Sequence, residues 1–206
     1  MTLIAVVHLD ESCLGNGREG ENPGGAAGLI EVRSRGRIQR RDFYLHSPGT
    51  TNNRMALTGA GTALRILGAK GRRLLVLMVS DSEYLVKGMR EWVPGWANRG
   101  WTRKAGPIEN LALWRDLAEA ASLHEVQWAW VRGHRGHPKN EYANDLAIAA
   151  AREGITSQGA VESKFGDWLE RKQARKLFIG YDPDRAYEVL ERRLAAGERF
   201  PIADPV

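Results

Sequence analysis

The chain has 206 residues, a net charge of +5, a sequence pI of about 9.6 and a hydrophobic fraction of 43%. This length favours one domain with an appended segment, and the apolar content is ample for a packed core. No stretch approaches the ~20 apolar residues of a membrane span, and the N-terminus lacks the pattern of a secretory signal. Because Cys13 is the single cysteine, an intrachain disulfide is excluded, and we expect a cytoplasmic protein with no membrane partner.

The first third of the chain predicts an antiparallel meander followed by a helix. Leu3–Leu9, Gly28–Val32 and Arg40–Leu45 are strand-like runs separated by polar, Gly-containing connections. The apolar spacing after them predicts a helix from Asn53 to Leu67.

The middle of the chain alternates between helical and strand patterns. Leu74–Val79 is apolar on both faces, which is typical of a central strand covered by helices. A helix is predicted to begin in Ser82–Met89, and a strongly amphipathic one at Pro107. Val126–Val131 is the last predicted strand and Asn140–Glu153 the next helix. The predicted fold class is α/β, with a mixed five-stranded sheet and helices on both faces.

A change of composition near residue 154 divides the chain into two predicted parts, residues 1–153 and residues 154–206. Thr156–Phe165 is polar and contains Gly and Ser, so it predicts a linker. Asp182 and Pro183 are typical of a helix N-cap and first helical position. The apolar stripe that follows favours packing of a helical C-terminal extension on the main domain.

Three aspartates stand where a fold can gather carboxylates around a metal. Asp10 and Asp81 each follow an apolar run, and Asp145 lies just inside a helix after a Gly- and His-containing loop. Matching ends of neighbouring strands lie roughly 5 Å apart, so their residues can share one ion. Buried like charges at that distance require a cation, and a hard metal with oxygen ligands indicates phosphate chemistry.

Cations and tryptophans are interleaved between residues 87 and 104. They are Lys87, Arg90, Trp92, Trp96, Arg99, Trp101, Arg103 and Lys104. Aromatic faces beside cations suit a sugar-phosphate backbone, so this stretch favours a nucleic-acid partner.

Four segments, in order, make the chain resemble bacterial-type ribonuclease H. They are Asp10–Asn16, Thr50–Met55, Ser80–Tyr84 and Gly133–Ala147, and the resemblance spans about residues 1–153. It implies the ribonuclease H-like fold and an endonuclease that cleaves the RNA strand of RNA–DNA hybrids to give 5′-phosphates. It also implies two Mg²⁺ ions bound with the substrate, with Mn²⁺ as a substitute. We expect a monomer whose partner is the hybrid.

The resemblance assigns roles to particular residues. Asp10, Asp81 and Asp145 are expected as catalytic metal ligands, and His134 is expected to assist proton transfer or product release. The expected substrate contacts are Asn16, Thr51, Asn52, Asn53 and Trp92. Thr51, Asn52 and Asn53 have an alternative structural role as the N-terminal cap of the following helix.

Ala56 departs from the family pattern, which has a metal-ligating glutamate at this position. A methyl group cannot bind a metal, so three hypotheses stay open: an engineered substitution, compensation by another carboxylate, or a binding protein without catalysis. Such a binding protein would hold hybrids or double-stranded RNA. A nuclease of the same fold acting on DNA structures is a further alternative. The candidate compensating residues are Glu11, Glu19, Glu21 and Glu83. Glu11 is the foremost because it adjoins Asp10.

Overall fold

A single mixed sheet organises the computed structural model, which describes residues 3–15, 22–133 and 136–200. The strands are β1 (Ile4–Cys13), β2 (Gly24–Ser34), β3 (Arg37–Ser47), β4 (Leu75–Ser80), β5 (Glu125–Trp130) and β6 (Val161–Glu162). The helices are α1 (Asn52–Gly68), α2 (Glu83–Lys87), α3 (Val93–Asn98), α4 (Leu111–Ser122), α5 (Pro138–Glu153), α6 (Phe165–Ala174) and α7 (Pro183–Ala195).

The strand order across the sheet is β5-β4-β1-β2-β3-β6. The first three strands form the predicted antiparallel meander, and β4 and β5 run parallel to β1 and to each other. The α/β class and the mixed sheet predicted from the sequence are therefore confirmed. The five predicted strands are all present, and β6 adds a sixth.

The segment predicted as a linker, Thr156–Phe165, instead runs along the outer edge of β3. The Ser157 backbone N–H donates to the Tyr44 carbonyl at 2.8 Å, and Val161 in β6 pairs with Asp42. An edge strand exposes unpaired backbone groups, and this segment satisfies some of those of β3. This edge pairing was not predicted, because a polar sequence forms such backbone bonds without any apolar pattern. The domain boundary after residue 153 stays a prediction.

The helices after β4 show features that the sequence did not predict. The helical segment that begins at Glu83 continues to Asn98 through a π-helical turn at Gly88–Trp92. Helix α4 begins at Leu111 rather than Pro107, because its N-cap Asn110 has a left-handed backbone, φ 53°. Helix α6 was not predicted.

The two faces of the sheet bury different sets of apolar side chains. Along β1, Val7 and Leu9 face α1 and α4, whereas Val6 faces α7. This alternation follows the two-residue period of a strand. Both faces are covered, which matches the largely apolar sequences of Ile4–Leu9 in β1 and of β4.

Helix α7 of the extension covers the second face. Tyr187, Leu190 and Leu194 are buried in one cluster with Val6 and residues of β4 and β5. The Tyr187 hydroxyl accepts from the Arg33 backbone N–H at 3.0 Å. The predicted apolar stripe thus packs within the chain. In the described part of the chain, none of the helices combines the length and apolarity needed to cross a membrane.

Truncation of Leu190 tests how much the packing of α7 contributes to the stability of the fold. We expect Leu190→Ala to lower the free energy of unfolding by about 2–4 kcal/mol, because it leaves a cavity between α7 and the sheet. Urea denaturation followed by circular dichroism measures the loss. The matched control is Val189→Ala, one residue earlier and 38% exposed, which should change stability by less than about 0.5 kcal/mol. Equal, small losses for both variants would show that α7 is not part of the core.

Candidate active site

The parallel pairing of β1 with β4 brings two predicted ligands together. The last pair in this register is Leu9 with Ser80, so Asp10 and Asp81 come next on adjacent strands. Neighbouring strands are about 4.8 Å apart, which places the two carboxylates at one point on the sheet edge. The structure therefore brings Asp10 and Asp81 together as the sequence predicted.

Glu11 joins them as a third carboxylate. One side-chain oxygen from each of Asp10, Glu11 and Asp81 lies within 4.8 Å of the other two. Adjacent residues of a strand point to opposite faces, but β4 ends at Ser80 and leaves the edge of β1 open beyond that point. Side chains from both faces can therefore meet at this edge. We call these three residues the carboxylate group.

Hydrogen bonds fix the Asp10 carboxylate. Its Oδ1 accepts from the Glu11 backbone N–H at 2.7 Å, and its Oδ2 accepts from the Asn140 side-chain amide at 3.2 Å. The same Asn140 amide nitrogen lies 3.3 Å from the Leu9 carbonyl. Asn140 in the first turn of α5 thus connects this helix to the end of β1. This role of Asn140 was not predicted from the sequence.

The surroundings of Glu11 fit a metal ligand. Its carboxylate is hydrogen-bonded to Ser82, yet its Oε2 is buried without a hydrogen-bond partner. A buried carboxylate oxygen without a partner is costly, and a divalent cation among three carboxylates would satisfy it. The residues present therefore fit a hard metal ion.

Gly133 lies directly against Asp81. A Cβ at Gly133 would stand 2.2 Å from Asp81 Oδ2, so no larger residue fits while the carboxylate keeps this position. The loop between β5 and α5 can therefore pack against the carboxylate group because the residue at the contact has no side chain.

Crowding and burial raise the pKa values of Asp10 and Glu11. Burial, then the charges of Asp81 and Glu11, raises the pKa of Asp10 to about 9. Burial and then the Asp81 charge raise the pKa of Glu11 to about 8. In the absence of a cation, the folded chain therefore holds protons here at neutral pH.

Asp145, the third predicted ligand, is not part of the carboxylate group. Its Oδ2 accepts from the Trp168 indole N–H at 2.8 Å and lies 3.3 Å from the Lys172 ammonium, both in α6. A helix turns about 100° per residue, so Asp145 lies about 140° around α5 from Asn140. Asn144 lies only about 40° around the helix from Asn140. It is therefore on the same face of α5 as Asn140, whose side chain contacts Asp10. The spacing of four between Asn140 and Asn144 was the sequence signal that could have shown this.

Ala56 and Glu83 lie in different surroundings. Ala56 is fully buried in the apolar cluster between α1 and the sheet. Glu83 forms a surface ion pair with Lys87 at 2.6 Å and is not a member of the carboxylate group. Of the two candidate compensating residues that the structure describes, Glu11 and Glu83, it is Glu11 that lies beside Asp10 and Asp81.

The predicted substrate-binding residues of α1 stand at its N-terminus. Thr51 is the N-cap, and its hydroxyl accepts from the Arg54 backbone N–H at 3.4 Å. Asn52 and Asn53 are the first helical residues, and Asn52 Oδ1 is buried without a hydrogen-bond partner. The capping role of Thr51 is therefore present, and its contact with substrate stays a prediction.

Trp92 belongs to an aromatic cluster beneath the basic stretch. Its ring centroid lies 5.7 Å from that of Tyr84, 5.9 Å from that of Trp96 and 6.2 Å from that of Trp114. Trp92 is only partly buried, whereas Trp114 is fully buried. The cluster supports the helical segment from Glu83 to Asn98, which carries the first of the predicted basic residues. Asn16, Glu19, Glu21 and His134 lie outside the described residues.

Comparison with known proteins decides the family. The ribonuclease H family model matches residues 4–152. The chain belongs to the ribonuclease H family. It is 40% identical over 161 residues to a ribonuclease H of Aromatoleum aromaticum, covering 78% of this chain and 97% of that protein. It is 38% identical over 154 residues to ribonuclease HI of Caulobacter vibrioides, covering 74% of this chain and 96% of that protein.

A solved ribonuclease H structure resembles the chain beyond fold alone. LC9-RNase H1, described as a type 1 RNase H with the type 2 active-site motif, is 53% identical with a TM-score of 0.76. The match covers 82% of this chain and 81% of that one. Membership of the family and the nuclease fold predicted from the sequence are thus confirmed.

The raised pKa values of Asp10 and Glu11 predict a pH-dependent stability of the metal-free protein. In the unfolded chain these carboxyls titrate near pH 4, so between about pH 4 and pH 8–9 the folded state binds more protons than the unfolded state. Stability contributed by such groups is present at low pH and declines as pH rises through this window.

Thermal and urea unfolding in EDTA should therefore show lower stability at pH 8 than at pH 5.5, by on the order of 2 kcal/mol. Asp10→Asn should raise the stability at pH 8 and flatten the dependence, and Mg²⁺ should stabilise the unsubstituted chain at pH 8. The control Asp116→Asn, on the surface of α4, should leave the slope unchanged. A slope that Asp10→Asn does not alter would contradict the account.

Proposed function

We propose that this chain hydrolyses the RNA strand of RNA–DNA hybrids, using divalent metal held by Asp10, Glu11 and Asp81. The observation that carries the proposal is the convergence of these three carboxylates, with a buried Glu11 oxygen that has no hydrogen-bond partner. A bound Mg²⁺ or Mn²⁺ would supply an activated water and neutralise charge on the scissile phosphate. The products would carry a 3′-hydroxyl and a 5′-phosphate.

Glu11 supplies the carboxylate that Ala56 cannot. Both positions would serve the same ion from different elements, Glu11 from β1 and the usual family glutamate from α1. LC9-RNase H1 is a type 1 RNase H with the type 2 active-site motif, so an RNase H 53% identical to this chain also departs from the usual active-site motif of its type. We therefore favour natural compensation over an engineered loss of activity or a protein that only binds hybrids.

Helix α5 would contribute through Asn140 and Asn144 rather than Asp145. Asn140 holds the Asp10 carboxylate, and Asn144 follows one turn later on the same face. An amide oxygen is an acceptable ligand for a hard cation. Asp145 is instead committed to Trp168 and Lys172.

The hybrid would be recognised by groups on both sides of the carboxylate group. The N-terminus of α1 offers Thr51, Asn52 and Asn53 to sugars and a phosphate, because helix N-termini favour anions. The basic stretch from Lys87 to Lys104, supported by Trp92, would hold the DNA strand. Asn16 and His134 keep the roles that the family resemblance implies. We expect a cytoplasmic monomer.

Cleavage of an end-labelled RNA–DNA hybrid in Mg²⁺ and in Mn²⁺ tests the proposal. The unsubstituted chain should cut the RNA strand and leave duplex DNA intact. We expect Glu11→Gln to lower the rate at least about 100-fold, because loss of one ligand misplaces the attacking water. The matched control Glu83→Gln removes a surface carboxylate that pairs with Lys87, and it should retain full activity.

Asp145→Asn tests whether α5 contributes Asp145 or Asn144 to the metal site. It should cleave within about threefold of the unsubstituted chain, and a loss as large as that of Glu11→Gln would restore Asp145 as a ligand. Hybrid affinity measured in Ca²⁺ should be similar for all variants. If the unsubstituted chain binds hybrids tightly but cuts none in either metal, the chain is a binding protein and the enzymatic proposal fails.

A further inference from the structure

Asn140 contacts the metal site from the first turn of α5, so its position depends on how that turn is held. Its side-chain amide nitrogen lies 3.2 Å from Asp10 Oδ2 and 3.3 Å from the Leu9 carbonyl oxygen. A side-chain atom about 5–6 Å from a helix axis moves by about 1 Å when the helix rotates by about 10°. A small rotation of α5 would therefore break both of these hydrogen bonds.

Lys139, the residue before Asn140, holds the same turn from another side of the helix. Its ammonium group donates to Glu31 Oε2 of β2 at 2.7 Å and to the Pro183 carbonyl at the start of α7 at 3.1 Å. Consecutive residues of a helix point about 100° apart. Lys139 and Asn140 thus hold the turn in two directions, and together they fix the rotation of α5 about its axis.

Burial makes the contact between Lys139 and Glu31 exacting. Their side chains are only 2% and 0% exposed, respectively. Two charges removed from water in this way depend on each other, because loss of either leaves the other uncompensated. A charge-assisted hydrogen bond is also short, so Lys139 cannot shift far without breaking it.

Two further residues complete the network around Glu31. Arg40 Nε donates to Glu31 Oε1 at 2.9 Å, and Arg40 Nη2 donates to Asp184 Oδ1 at 2.6 Å. The network therefore contains two cations and two carboxylates and joins β2, β3, α5 and α7. Because Pro183 and Asp184 belong to the C-terminal extension, the extension is connected to the first turn of α5 through Lys139.

We propose that Lys139 is a positioning residue for the metal site and acts through Asn140. By joining Glu31 to Pro183 it sets the rotation of α5, and this rotation places the Asn140 amide against the Asp10 carboxylate. Lys139 is not itself a ligand. The inference rests on the proposed metal site, and it adds that the C-terminal extension contributes to metal affinity.

Isothermal titration calorimetry of the full chain with Mn²⁺, without nucleic acid, tests the inference. Lys139→Met should weaken Mn²⁺ binding by about tenfold, which is typical for loss of a residue that supports metal ligands. The matched control is Leu117→Ala, at a buried position of α4 on the opposite face of the sheet. It also destabilises the fold, yet its Mn²⁺ affinity should stay within about twofold of that of the unsubstituted chain.

A double-mutant cycle shows whether Lys139 acts through Asn140. Asn140→Ala should weaken Mn²⁺ binding at least as much as Lys139→Met does. The double variant should bind Mn²⁺ within about twofold of Asn140→Ala alone, because the positioning of Lys139 has no further effect once the amide is gone. A residue that only stabilised the fold would leave the Mn²⁺ affinity unchanged in the folded protein.

Circular dichroism confirms the folding of each variant. If Lys139→Met does not fold, Glu31→Gln is the test, since its amide keeps the shape of the carboxylate but turns an NH₂ group toward one of two cations. It should weaken Mn²⁺ binding several-fold.

Three results would each overturn the inference. They are an unchanged Mn²⁺ affinity in folded Lys139→Met or in its substitute Glu31→Gln, an equal loss of affinity in Leu117→Ala, and additive losses in the double variant. Mn²⁺ binding that Asp10→Asn does not weaken would instead overturn the proposed function, and this inference with it.

Discussion

Parallel pairing between β1 and β4 concentrates negative charge at one edge of the sheet, and the site depends on it. The register ends with Leu9 opposite Ser80, so Asp10 and Asp81 follow on adjacent strands, and Glu11 reaches the same point past the end of β4. The mutual repulsion of three such carboxylates, two with raised pKa values, is relieved either by protons or by a cation. The fold thus forms a metal site, and the repulsion between its carboxylates lowers the local stability of the metal-free protein.

Helix α5 links this edge to the extension at the other end of the chain. Asn140 holds Asp10, while the preceding residue, Lys139, forms a buried ion pair with Glu31 of β2. Glu31 also pairs with Arg40 of β3, which in turn contacts Asp184 of α7. A buried carboxylate with two cationic partners is sensitive to loss of either one, because the remaining charge would lack compensation. Residues beyond 153 therefore help to hold the helix that positions Asp10.

Much of the fold was predictable because its signals are local. The apolar runs of β1 and β4, the Asp182 and Pro183 start of α7, and the aspartates after two strands all appear as short patterns. Strand β6 was not predictable, since its pairing with β3 depends on backbone hydrogen bonds that require no apolar pattern in the sequence. Helix α6 was also not predicted, although its buried Trp168 and Phe165 pack against Tyr142.

The metal site could be predicted only in part from the sequence, and the reasons are physical. Glu11 was named as a candidate, but the alternation of side chains along a strand argued against it. Only the early end of β4 shows how Glu11 meets Asp10 and Asp81. Asp145 was expected as a ligand from its position in the family motif, whereas helical periodicity places Asn144, one turn after Asn140, on the side of α5 that holds Asp10. Asp145 itself contacts Trp168 and Lys172 of α6.

We expect Asp10, Glu11 and Asp81 to bind the metal jointly. Crystals of the chain soaked in Mn²⁺, with anomalous differences collected at the manganese edge, locate the ion directly. The account predicts a peak with oxygen ligands from all three residues at about 2.1–2.3 Å. A peak ligated by Asp145, or a peak at Asp10 and Asp81 with the Glu11 carboxylate turned away, would contradict it.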